Sequence, residues 1–61
     1  MALYRGENMK EYDVYIIKPD GSMEKVGTRL SKREAAMLRI RLQLQGETTM
    51  IKDTESGAWV G

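Results

Sequence analysis

This sequence predicts an α+β domain with the order ββαββ, a small antiparallel sheet of two hairpins with one helix laid across a face. Three observations carry that reading. A β-branched and aromatic run, Tyr12-Asp13-Val14-Tyr15-Ile16-Ile17-Lys18, ends in the turn Pro19-Asp20-Gly21-Ser22. Ser31-Lys32-Arg33-Glu34 has the spacing of a helix capping box and opens a run of good helix formers. Beyond Gly46, two short apolar segments flank a second turn.

The elements follow in chain order. Residues 1–10 lack an apolar period and read as a flexible arm, leaving 12–60 as the folded core of a single domain. In the first strand, Val14 and Ile16 point to one face and Tyr15 and Ile17 to the other, so both faces are partly covered. Proline presets φ in the turn and glycine supplies a positive φ, which returns the chain as Met23 to Arg29. Gly27 interrupts that second strand and implies a bulge or a close backbone approach.

The helix is expected from Lys32 to Gln45, with Gly46 in the place of a left-handed cap. Leu38 to Gln45 also alternates apolar and polar, so a short helix to Met37 followed by a strand is the rival reading; propensity and the two caps favour the full helix. Thr48 to Lys52 reads as a third strand, Asp53-Thr54-Glu55-Ser56-Gly57 as a turn and Ala58-Trp59-Val60 as a short fourth strand.

Composition narrows the function. With 61 residues, 41% hydrophobic and 31% charged, the chain is globular in character but has little core, so oligomerisation is expected to support it. Cysteine and histidine are both absent, which removes disulfides, thiol nucleophiles, the usual zinc ligands and the commonest general base. No catalytic residue, cofactor-binding motif or metal site is identified, and the expectation is a protein that is not an enzyme. No apolar run near the start has the form of a secretory leader, and none reaches membrane-span length, so the cytoplasm is the expected compartment.

Two features invite a partner. Placed at about 100° per residue, the helix has two apolar stripes, a wide one of Ala36, Met37, Ile40 and Leu44 and a narrower one of Ala35, Leu38 and Leu42. One sheet covers one side of a helix. The wider stripe is expected to face the chain's own sheet, leaving Ala35, Leu38 and Leu42 for self-association or for cover by the arm through Leu3 and Tyr4.

The second feature is charge. The total is +1, but residues 18–41 hold seven basic and three acidic side chains. Lys25, Arg29, Ser31, Lys32 and Arg33 gather around the second strand and the helix start, where amides and cations together suit a phosphate. The alternative is a solvated basic face. Tyr15 and Trp59 are read chiefly as packing residues, with Trp59 filling the space between sheet and helix, and otherwise as a stacking surface for bases.

The run from Asp20 to Leu44, with Val26-Gly27-Thr28 followed by Ser31-Lys32-Arg33-Glu34-Ala35, resembles the sheet-then-helix amino-terminal DNA-binding domains of phage-type tyrosine recombinases. The resemblance implies DNA as a partner. It covers less than half of the chain, and a strand pair after the helix departs from that family's pattern. The expected role is a self-associating protein-interaction module with a protein partner, of the regulatory or phage accessory kind. A nucleic-acid-binding module using the basic residues of the second strand and helix start is the alternative.

Overall fold

The computed structural model describes residues 10–61, so the expected arm, with Leu3 and Tyr4, lies almost wholly outside the described residues. Strands β1 (Tyr12–Ile17), β2 (Met23–Leu30) and β3 (Thr48–Asp53) form one sheet in the order β2-β1-β3. Both pairings are antiparallel, and helix α1 (Lys32–Leu44) connects the two outer strands across one face of β1.

The first hairpin forms as the turn chemistry dictates. The Asp20 carboxylate accepts from the Ser22 amide at 2.9 Å and its hydroxyl at 2.7 Å, and the Lys18 amide donates to the Ser22 carbonyl at 2.8 Å. Opposite β1, Tyr15 pairs with Lys25 while Val14 pairs with Gly27 and Tyr12 with Leu30, so β2 carries extra residues at two places. Arg29, at the second irregularity, has φ of 53°, and its amide donates to the Asp13 carboxylate at 2.9 Å. That bond gives the bulged amide a partner inside the hairpin.

At Gly27 a side chain of the helix comes close to β2. A Cβ there would stand 2.7 Å from Leu30 Cδ1 and 2.9 Å from Leu38 Cδ2, so the absence of a side chain lets Leu38 rest on the strand. Both sequence readings of this glycine hold, since the irregular register and the close approach coincide.

The capping box is complete, the Glu34 amide donating to Ser31 Oγ at 3.1 Å and the Ser31 amide to Glu34 Oε1 at 3.0 Å. Helix runs through Leu44, and the rival strand for residues 38–45 is excluded. Gly46, at φ of 87°, takes the left-handed position after the helix and donates to the Gln43 carbonyl at 3.0 Å.

The expected ββαββ order is corrected to three strands. Ala58-Trp59-Val60 lies beside β3 and exchanges backbone bonds with it, Asp53 N to Ala58 O and Val60 N to Ile51 O, each at 2.8 Å. It makes only the isolated bridge Lys52 to Trp59.

The core is small. Val14, Ala35 and Ile51 are buried, and Tyr12, Leu30, Leu38 and Leu42 pack around them. Leu30 precedes the N-cap and Ala35 is the fourth helical residue, the two positions of a hydrophobic staple. Their shared cluster fixes the rotation of α1 from its first turn.

Candidate interaction surface

That rotation reverses the expected assignment of the helix stripes. Ala35, Leu38 and Leu42, read from sequence as the self-association set, belong to the chain's own core. Met37 is 59% exposed, Ile40 53% and Leu44 84%, so the bulkier stripe faces away from the sheet. The cause is depth. Ala35 is buried with Val14 and Ile51, where a small residue lets the helix axis come close, and Leu38 rests over Gly27, whereas Met37 or Leu44 in the place of Ala35 would hold the axis further off.

Met37, Ile40 and Leu44 stand at i, i+3 and i+7, which places them along one seam of the helix. Arg33 and Arg41 are exposed near this seam, with Glu47 just past the helix end. Sequence reasoning saw the stripe but turned it inward, weighing its width. The staple spacing from Leu30 to Ala35 was the signal that could have oriented it.

The five residues expected to contact an anion lie on β2, at the N-cap and in the first turn of α1. Lys25 lies 3.4 Å from an Asp13 carboxylate oxygen, and Arg29 Nε donates to Glu11 at 3.0 Å. Ser31 is occupied by its own capping box, which uses the helix amide a phosphate would need. Lys32 lies beside the C-terminal segment, and Arg33 is exposed on the helix. Three of the five already hold partners.

Trp59 is corrected as well. It sits on the helix-free face, 44% exposed, with its ring centroid 5.3 Å from that of Tyr15 at an interplanar angle of 70°. Lys25 Nζ stands 5.8 Å from the Tyr15 ring centre and Lys52 Nζ 5.4 Å from that of Trp59. Each ring therefore already has a cation beside it, a patch that covers this side of the sheet.

The tail carrying Trp59 is tied to β3 through Asp53. Its Oδ1 accepts from the Glu55 amide at 2.8 Å and its Oδ2 lies 3.3 Å from Lys10 Nζ. The Glu55 amide above all, with Lys10 adding to it and burial opposing, holds the Asp53 carboxyl below its ordinary range. The same hydrogen bond raises the Lys10 ammonium.

Among the described residues, no group of three carboxylates has the arrangement of a metal site, and no helix is long and apolar enough to cross a membrane. Comparison of the chain with protein-family models, with curated proteins and with solved structures finds no match.

Proposed function

We propose that this chain is a small, non-catalytic interaction module that self-associates through the outward face of α1. The observation that carries the reading is the seam of Met37, Ile40 and Leu44, three large apolar side chains pointing away from the sheet on which the helix packs. Solvent contact of that size is unfavourable, and burying each side chain contributes about 1.5–3 kcal/mol when complete.

A second copy is the favoured occupant. In an antiparallel pair of α1 helices crossing near Ile40, the seam of Met37, Ile40 and Leu44 of one copy lies along the same seam of the other. The sheet edges offer less. β2 is interrupted by its irregular register and β3 is bordered by the tail, both of which discourage strand addition.

The helix is 13 residues long, roughly 20 Å, so its face is well below the ~800 Å² per partner of a standard interface. Association should therefore be weak, roughly micromolar or weaker. Sedimentation velocity from low to high concentration tests it. The parent should gain mass with concentration and Ile40→Lys should stay monomeric and folded; a parent monomeric throughout would end the proposal.

A further inference from the structure

We infer that the cleft between α1 and the C-terminal segment binds a small carboxylate with an apolar body. The cleft encloses about 340 Å³, inside the range of roughly 300–1,000 Å³ found for small-molecule sites. Ala35 and Ala36 line its helix side, and their short side chains leave the volume open. Ile51 and Tyr12 contribute from the sheet, and Val60 from the tail.

Two cations stand in this apolar setting. Lys32 and Arg39 are seven residues apart on one edge of α1, about 10 Å along its axis. Neither is within ion-pair distance of a carboxylate among the described residues. Arg39 Nε is buried and has no hydrogen-bond partner among the described residues, so no protein acceptor holds the guanidinium at that atom. Buried donors are ordinarily satisfied. One guanidinium nitrogen, Nη1, lies 3.5 Å from where a Cβ on Gly61 would be, so the Arg39 group reaches the tail across the head of the cleft.

The chemistry favours a carboxylate over a phosphate. The paired Nη donors at the end of one guanidinium match the fork of a single carboxylate, while the apolar lining suits an aryl or alkyl body. A phosphate dianion needs more donors, and at the helix start the Glu34 amide is already engaged by Ser31, with the Glu34 carboxylate beside it.

The test is a titration of the isotope-labelled full chain, followed by backbone amide chemical shifts, with 4-phenylbutyrate, the neutral 4-phenylbutanol and inorganic phosphate. Phenylbutyrate should shift the amides of Ala36, Arg39 and Ile51 saturably, in the millimolar range that about twelve non-hydrogen atoms reach at ordinary ligand efficiency. The alcohol should bind at least tenfold more weakly, and phosphate should not saturate. Arg39→Gln should lose at least tenfold in affinity, and Ala36→Leu, which fills the cleft with both cations in place, should abolish binding. Ile40→Lys should bind as the parent does, which separates this site from self-association. Equal binding of acid and alcohol, phosphate saturation at the same amides, or no saturable shift with phenylbutyrate would each overturn the inference.

Discussion

Replacing Leu38 with alanine should destabilise the domain far more than replacing Met37, although the two residues are neighbours and methionine is no smaller. Leu38 packs on the cluster of Val14, Ala35 and Ile51 and rests over Gly27, whereas Met37 is 59% exposed. A leucine-to-alanine change in a core costs about 2–5 kcal/mol, and partial burial puts Leu38 near the lower end, about 2–3 kcal/mol. Met37→Ala loses little packing within its own chain and should cost under about 1 kcal/mol. A chain of 61 residues has roughly 3–9 kcal/mol in total, so Leu38→Ala removes a large share. Urea unfolding followed by far-ultraviolet circular dichroism gives the comparison. With a slope near 1 kcal/mol per molar urea, the Leu38→Ala midpoint should fall by roughly 2–3 M and that of Met37→Ala by under about 1 M. The measurement belongs at low protein concentration, where self-association does not add to stability. A larger loss for Met37→Ala there would refute the face assignment.

Two further outcomes follow from the packing and the turn. Gly27→Ala should cost about 1–3 kcal/mol in the same urea assay, because its methyl group meets the ends of Leu30 and Leu38 at under 3 Å. A neutral or stabilising result would mean that the ends of Leu30 and Leu38 turn aside without loss of packing. Asp53 titrates below its ordinary value in the folded chain, so its contribution to stability is present above the unfolded pKa of about 3.9 and is lost as pH falls through the lower folded value. The urea midpoint of the parent should therefore drop below about pH 4. Asp53→Asn should start lower at neutral pH and show a smaller acid-induced fall, whereas an unchanged pH profile would remove Asp53 from the account.

Most of the fold was legible because its signals are local. Pro19-Asp20-Gly21-Ser22 specifies a turn wherever it occurs, and Ser31 with Glu34 specifies a helix start. The fourth strand was not legible, because whether Ala58-Trp59-Val60 forms a ladder or a single bridge depends on the space beside β3. The helix stripes failed for a related reason. Width argued for Ala36, Met37, Ile40 and Leu44, but the staple from Leu30 to Ala35 and the seat that Gly27 gives Leu38 decided for the other stripe. The basic stretch illustrates a third limit, since Lys25, Lys32 and Arg33 are close in sequence yet are placed on different surfaces by the strand-to-helix corner. Arg39 was read only as a divider between stripes, and the approach of its Nη1 to Gly61 depends on where the tail lies.

The chain contains no cysteine, so a single introduced thiol reports directly on whether the outward face of α1 meets its own copy. Ile40→Cys lies at the proposed crossing point, and Glu55→Cys, exposed in the turn after β3, is the control. Under mild oxidation at matched concentration, Ile40→Cys should form a disulfide-linked dimer quickly while Glu55→Cys remains largely monomeric. Oxidation of Ile40→Cys no faster than of Glu55→Cys would contradict the claim that this face is the interface.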